Sequence, residues 1–178
     1  MGVVYTTLFF YIMNDIGNKG NIKTLGIDSS TKSSGYSLFV DGEFKNCGHI
    51  DHSNIKSGQE RLALMMKDLV CLIENEHPDI VSWEIPVVIR NPQTQRDLSM
   101  LTGAIMSKCV ELDIFYCPFR PTEWRKLVAD DGEKIPRKRD ELKKWGIEKV
   151  KNIYGIEVDN DDESDSILIG LAYINLYK

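Results

Sequence analysis

Two short apolar runs after residue 22 have the length of β-strands. Lys23 to Asp28 forms a short apolar run, and Gly35 to Val40 forms a second one. Asp41-Gly42, which follows directly, is typical of a two-residue hairpin turn of type I′. We therefore expect Glu43 to Ile50 to return as a third strand, so that an antiparallel meander opens the folded part of the chain.

From Ser57 the apolar positions recur every three or four residues, which is the period of an α-helix. His77-Pro78 ends this pattern, because the residue before a proline is disfavoured in helical conformation. The pattern predicts a helix from Ser57 to Glu76. We expect its apolar stripe to face the protein core rather than a cofactor, and the stripe consists of Leu62, Met65, Met66, Leu69 and Ile73.

Strand-like and helical segments then alternate to the end of the chain. Alternation of this kind needs crossover connections, which favour parallel strand pairing. We therefore predict an α/β fold, in which a mixed sheet combines the antiparallel β1-β2-β3 meander with parallel strands and carries helices on both faces. The remaining predicted strands are 79–84 and 114–117, and the predicted helices are 92–111, 121–128, 137–154 and one beginning near 159–161.

A length of 178 residues is typical of one domain. We assign residues 1–22 to an N-terminal extension and residues 23–178 to the single folded domain. The apolar stretch from Val3 to Met13 is shorter than the ~20 residues of a membrane span and lacks the features of a secretory signal. The four cysteines contain no C-x-x-C pair. These features predict a cytoplasmic protein with reduced thiols and no membrane association.

The net charge of −5 argues against indiscriminate binding of nucleic acid, but the charges are unevenly distributed. Arg120 to Lys151 contains eleven basic and seven acidic residues, whereas Glu157 to Asp165 contains six acidic residues in nine positions. A basic segment therefore directly precedes an acidic one.

Carboxylates follow the ends of two predicted strands. Asp28 ends the first strand in Leu25-Gly-Ile-Asp-Ser-Ser-Thr, and Glu84 ends the strand Ile80-Val-Ser-Trp-Glu. Taken alone, Asp28 before Ser-Ser-Thr is more typical of a turn than of a functional site. A charged group at the end of a buried strand either faces the crevice at the carboxyl edge of the sheet or carries a large desolvation penalty.

Two further carboxylates share one face of the closing helix. Asp162 and Asp165 are three residues apart, and Asp165 keeps the phase of the apolar positions. We interpret Asp161 and Glu163 as first-turn acids that complement the helix dipole. Four converging carboxylates do not all stay ionised without a cation. The pattern therefore predicts two Mg²⁺ ions, with Mn²⁺ as a possible substitute, bound by Asp28, Glu84, Asp162 and Asp165 in a metal-dependent nuclease.

These motifs together resemble the RuvC family of Holliday junction resolvases, and the resemblance covers residues 23–177. It rests on Leu25-Gly-Ile-Asp28-Ser-Ser-Thr with Gly35-Tyr36, on Trp83-Glu84, and on Asp162-Glu-Ser-Asp165-Ser-Ile-Leu. The family has a ribonuclease H-like fold, and its four catalytic acids fall on Asp28, Glu84, Asp162 and Asp165. The resemblance implies an Mg²⁺-dependent endodeoxyribonuclease that cuts branched DNA, above all Holliday junctions, by two-metal-ion hydrolysis.

The resemblance also implies a homodimer, because a junction needs two symmetric nicks, with an interface on the two long helices. Pro121 to Lys126 resembles a segment that contacts DNA in the family. The DNA-binding candidates are Arg125, Lys126, Lys134, Arg137, Lys138 and Arg139. Ile85-Pro86 and the basic insert Lys134 to Lys144 resemble divergent phage-type members, so a broader specificity for branched or single-stranded DNA stays an alternative.

Two other functions compete with the nuclease. Gly26 to Lys32 also resembles the phosphate-binding hairpin of actin-like ATPases and sugar kinases, although the chain lacks the length for their second lobe. A non-catalytic DNA-binding module is the third hypothesis. His49 and His52 form an H-x-x-H pattern, which we interpret as loop histidines because the sequence shows no further ligand at a zinc spacing.

Overall fold

The computed structural model describes residues 20–87 and 91–177, and its described strands form one sheet. The order across the sheet is β3-β2-β1-β4-β5. β1 pairs antiparallel with β2, β2 pairs antiparallel with β3, and β4 runs parallel to both β1 and β5. The predicted mixed sheet is therefore confirmed. The strands are β1 (Lys23–Asp28), β2 (Ser33–Val40), β3 (Glu43–Asp51), β4 (Ile80–Glu84) and β5 (Phe115–Phe119).

The hairpin between β2 and β3 has the predicted turn. Asp41 and Gly42 both have positive φ angles, of 53° and 77°, as a type I′ turn requires. The Asp41 carboxylate accepts a hydrogen bond of 2.9 Å from the Ile22 amide, which ties the turn to the start of β1. Only residues 20–22 of the predicted N-terminal extension lie within the described part, so the boundary at residue 22 stays a prediction.

The described part of the chain contains five helices, which follow the predicted segments closely. Ser57, Asn91 and Asn160 cap three of them with their side-chain oxygens. Arg139 begins the fourth helix, two residues after the predicted start at Arg137. The helices are α1 (Gly58–Glu76), α2 (Pro92–Glu111), α3 (Pro121–Val128), α4 (Arg139–Tyr154) and α5 (Asp161–Leu176).

The helices cover both faces of the sheet and create two apolar cores. On one face, Leu25 and Ile27 of β1 pack against α1 and α2. The opposite core contains Phe39 of β2 and the apolar residues of α3, α4 and α5. The predicted α1 stripe is confirmed as core at Leu62, Met65, Leu69 and Ile73, whereas Met66 is partly exposed. Among the described helices, none has the length and apolar character needed to cross a bilayer.

Small residues allow α5 to lie unusually close to the sheet. A Cβ placed on Gly26 of β1 would lie 2.4 Å from the Ser166 carbonyl oxygen, and one on Gly35 of β2 would lie 1.9 Å from the Asp162 carbonyl oxygen. The Ser37 hydroxyl donates a hydrogen bond of 2.8 Å to the Ser166 carbonyl. The glycines therefore determine where the first turns of α5 sit above β1 and β2.

Candidate metal centre

Strand alternation directs Asp28 and Glu84 to the same face of the sheet. Leu25 and Ile27 point into the core beneath α1 and α2, so Gly26 and Asp28 face α5. In β4 the same alternation makes Glu84 face α5, because Trp83 belongs to the other core. Ile27 pairs with Trp83 in parallel register, so the two acids end neighbouring strands at one edge.

The start of α5 brings Asp162 and Asp165 to this edge. Gly35, which is the β2 partner of Asp28, lies directly under the Asp162 backbone. The pKa of Asp28 is raised well above its usual range, first by burial and then by the negative charges of Asp165, Glu84 and Asp162. The structure thus brings together the four acids that the sequence singled out.

Glu84 is held in place by α3. The Trp124 indole nitrogen donates a hydrogen bond of 2.6 Å to a Glu84 carboxylate oxygen. The Arg125 guanidinium lies 3.6 Å from the same oxygen and 4.7 Å from the centre of the Trp124 ring. Burial raises the pKa of Glu84, and these two donors oppose the rise. No pattern in the sequence indicates this contact between Trp124 and Glu84, which are 40 residues apart.

The two α5 carboxylates differ in their surroundings. Burial raises the pKa of Asp165 to about 7, although the Arg125 guanidinium opposes the shift. Burial also raises the pKa of Asp162, and a hydrogen bond from the Ser33 hydroxyl opposes that rise. Because the pKa values of both carboxyls are raised, the protein alone compensates the negative charge at this edge poorly.

The residues present fit a hard divalent cation. All four acids are partly exposed, and Asp28 and Glu84 line a cleft together with Ser29, Pro86, Val87 and Leu98. All four acids belong to the described part of the chain, and no three of them bring one oxygen each within 4.8 Å of one another. Two metal ions about 4 Å apart can be bound by carboxylates that approach from separate sides. The donor set, made of oxygens alone, suits Mg²⁺ or Mn²⁺.

The predicted DNA-binding residues fall into two groups. Arg125 faces Glu84 within the acid cluster. The other candidates have exposed side chains on α3, in the following loop and at the start of α4: Lys126, Lys134, Arg137, Lys138 and Arg139. Their contact with DNA stays a prediction.

The interpretation of His49 as a loop histidine is wrong. His49 lies within β3, and its Nδ1 is 2.7 Å from Glu163 Oε1. Glu163 is only 5% exposed and also accepts a hydrogen bond from the Asp159 amide, so complementing the helix dipole does not describe its whole role. His52 does lie in a loop, where it contacts Asp68 at 2.8 Å. The contact between His49 and Glu163 could not be predicted from local patterns, because the two residues are 114 positions apart.

Comparison with known proteins shows which proteins this chain resembles in sequence. No family model matches the chain. The crossover junction endodeoxyribonuclease RuvC of Campylobacter concisus is 28% identical over 160 residues, a match covering 86% of this chain and 97% of the relative. The chain is therefore similar to RuvC over most of its length. The RuvC of Chlorobaculum parvum is 25% identical over 112 residues, and that match covers 61% of this chain and 60% of the relative.

Solved structures show the same fold. The structure of Thermus thermophilus RuvC in complex with a Holliday junction substrate matches with a TM-score of 0.66. The alignment covers 86% of this chain and 93% of that one at 14% identity. The predicted ribonuclease H-like fold is therefore confirmed, and so is the resemblance to the RuvC family. These matches favour the nuclease over the actin-like or sugar-kinase alternative.

Proposed function

We propose that this RuvC-like chain is a metal-dependent endodeoxyribonuclease that cuts branched DNA, with Holliday junctions as its main substrate. The observation that supports it most strongly is the proximity of Asp28, Glu84, Asp162 and Asp165 at one sheet edge, where burial and then the charges of the other three acids raise the pKa of Asp28. The names of the RuvC relatives and the junction-bound neighbour support the choice of substrate.

In this proposal the four acids hold two Mg²⁺ ions, for which Mn²⁺ is a substitute. When bound, such ions would stabilise the attacking and leaving oxygens of a phosphodiester during hydrolysis. Asp28 would be the shared ligand, because the charges of Asp165, Glu84 and Asp162 all act on it. Trp124 fixes the orientation of Glu84 through its indole hydrogen bond. Arg125 limits the negative charge around Glu84 and Asp165.

Cleavage of labelled DNA tests this function. The protein is incubated with a four-way junction, a linear duplex of the same sequence, a flap and a single strand, each with Mg²⁺ or with EDTA. We expect Mg²⁺-dependent cutting of the junction in preference to the other substrates. Equal cutting of flap and single strand would establish the broader specificity. Nucleotide binding without any cleavage would contradict the nuclease and support the kinase-like alternative.

Metal binding should stabilise the protein more at pH 8 than at pH 5. The folded-state pKa values of Asp28 and Asp165 lie above the usual ~3.9 of an unfolded aspartate. Without metal, the contribution of these two carboxyls to stability is therefore greatest below that value and falls as pH rises towards about 7, the pKa of Asp165. A bound cation removes this loss, which is on the order of a few kcal/mol. Thermal unfolding with Mg²⁺ and with EDTA at both pH values measures the difference.

Asp165→Asn is the control for this pH effect, because it removes one of the two raised carboxyls. The variant should show a smaller fall in stability between pH 5 and pH 8 in EDTA. Equal stabilisation by Mg²⁺ at both pH values in the parent protein would contradict a cation site made of these acids.

The exposed charges at the start of α4 should contribute to DNA affinity through phosphate contacts. Each phosphate contact adds about −0.9 to the slope of log affinity against log salt on duplex DNA. Arg137→Ala with Arg139→Ala should therefore flatten the slope by up to about two units and weaken binding similarly for all sequences. Lys67→Ala, an exposed change on α1, is the matched control. An unchanged slope in the double variant would place the DNA path elsewhere.

We also propose a homodimer through α2, since one chain carries one four-acid site and a junction needs two nicks. Met100, Met106 and Val110 are exposed apolar side chains on α2. Gly103 lies at helical spacing from them, with open space where a side chain would be. These positions form a surface suited to close two-fold helix packing.

Sedimentation measures the predicted assembly. Wild-type protein should sediment as a dimer at micromolar concentration, and Met100→Glu with Val110→Glu should sediment as a monomer. Ile153→Glu, at an exposed apolar position on α4, should stay dimeric. A monomeric wild type would contradict the proposal and favour a nuclease that makes single cuts.

A further inference from the structure

A second group of metal-ligand side chains lies beside the four-acid site, between β3 and α5. Cys47 and His49 are two residues apart on β3, so they project from the same face. Their register partners on β2 are Ser37 and Gly35, which both lie against α5. Cys47 and His49 therefore face the start of α5, on the edge strand.

The donor atoms of this group are close together. His49, Asp159 and Glu163 each offer one ligand atom, and these atoms all lie within 4.8 Å of one another. The His49 Nδ1 and Glu163 Oε1 atoms are 2.7 Å apart. Cys47 Sγ is 3.9 Å from Glu163 Oε2. One imidazole and two carboxylates thus converge on one position, and the Cys47 thiol lies beside the Glu163 carboxylate.

We infer that His49, Asp159 and Glu163, with Cys47 as the fourth donor, form a site for one Zn²⁺ or a chemically similar transition-metal ion. This inference goes beyond the nuclease function and requires neither cleavage nor DNA. A set of nitrogen, sulfur and oxygen donors is typical of zinc sites, whereas the four-acid site offers oxygens alone. The two sites should therefore select different ions.

This group contains more carboxylates than an ordinary ion pair between one acid and one base needs. The Glu163 carboxylate is nearly fully buried, yet its neighbours include a second carboxylate, that of Asp159. Two carboxylates beside one imidazole leave net negative charge, which a divalent ion would neutralise. The Asp159 amide donates to Glu163 Oε2 at 3.1 Å and so holds the carboxylate in position before an ion arrives.

An ion at this site would join the edge strand to the first turn of α5. Asp162, whose carboxylate belongs to the four-acid site, directly precedes Glu163 on that turn. Binding to the folded state alone would stabilise the connection between β3 and α5 by mass action. The site is therefore suited to a structural ion that keeps the helix start in position.

Titration with Co²⁺, a spectroscopic substitute for Zn²⁺, tests the inference. The titration uses full-length protein carrying Asp28→Asn, which weakens metal binding at the four-acid site. We expect one ion per chain and a sulfur-to-cobalt charge-transfer band. Loss of an outer-shell partner alone costs ~10–100-fold in metal affinity, so His49→Ala should cost at least about tenfold. His52→Ala is the matched control and should bind as the parent does.

Two further variants keep the test independent of folding. Asp159→Asn changes an exposed side chain and should weaken Co²⁺ binding by at least about tenfold without affecting the fold. Cys47→Ser should abolish the charge-transfer band. The inference is overturned if the parent binds no Co²⁺, if His49→Ala binds as tightly as His52→Ala, or if the band persists in Cys47→Ser. Failure of DNA cleavage, by contrast, would leave this binding result unchanged.

Discussion

Replacing Asp28 with asparagine should abolish Mg²⁺-dependent cleavage of a four-way junction while leaving DNA binding intact or tighter. Burial raises the pKa of Asp28, and the negative charges of Asp165, Glu84 and Asp162 raise it further. Asparagine keeps the shape but removes the charge that a shared metal ligand needs. Tighter binding of DNA is expected because the variant has one negative charge fewer near the phosphates. Single-turnover cleavage and junction binding, measured side by side, separate the two effects.

Asp131→Asn provides the matched control, because Asp131 is an exposed acid in the loop between α3 and α4. It should cleave at the parental rate. Substantial cleavage by Asp28→Asn would remove Asp28 from the metal site. Loss of folding in Asp28→Asn, seen as a lost unfolding transition, would assign Asp28 a structural role instead.

Replacing Gly35 with alanine should both destabilise the protein and slow cleavage. A Cβ there would lie 1.9 Å from the Asp162 carbonyl oxygen and 2.3 Å from its carbonyl carbon. Backbone atoms of a helix cannot rotate away as a side chain can, so α5 must move. Overpacking of this kind costs ~1–3 kcal/mol and occasionally more. Because the displaced turn carries Asp162, the cleavage rate should fall as well.

Gly58→Ala is the control for this substitution, since a Cβ at Gly58 would meet only the Arg61 side chain, at an ordinary 3.9 Å. Urea unfolding and cleavage rates are compared for the two variants. If Gly35→Ala were as stable and as active as Gly58→Ala, the close approach of α5 to β2 would not position the site.

Local sequence patterns predicted most of the fold because they depend on neighbours along the chain. Asp41-Gly42 identified the hairpin, since few residues adopt two successive positive φ angles. The predicted helices 92–111 and 121–128 each begin at a proline, where α2 and α3 start, and the apolar spacing identified α1. The carboxylates followed from the same logic, because Asp28 and Glu84 end strands and Asp162 and Asp165 share a helix face.

The contacts that shape the site could not be predicted, because they join distant parts of the chain. Trp124 donates to Glu84 across 40 residues, and no periodicity identifies such a partner. The need for glycine at Gly35 is visible only once α5 lies above β2. Cys47 and His49 are two residues apart on β3 and so lie on one face of the strand. Their partner Glu163, however, belongs to a helix over a hundred residues later.

The most direct test of the central claim is to locate Mn²⁺ by anomalous scattering in crystals of the protein grown with that ion. The claim is that Asp28, Glu84, Asp162 and Asp165 together hold a pair of divalent ions. It predicts two anomalous peaks ~3.5–4 Å apart between these carboxylates, with Asp28 in contact with both. The absence of any peak among the four acids, at a Mn²⁺ concentration that supports cleavage in solution, would contradict it.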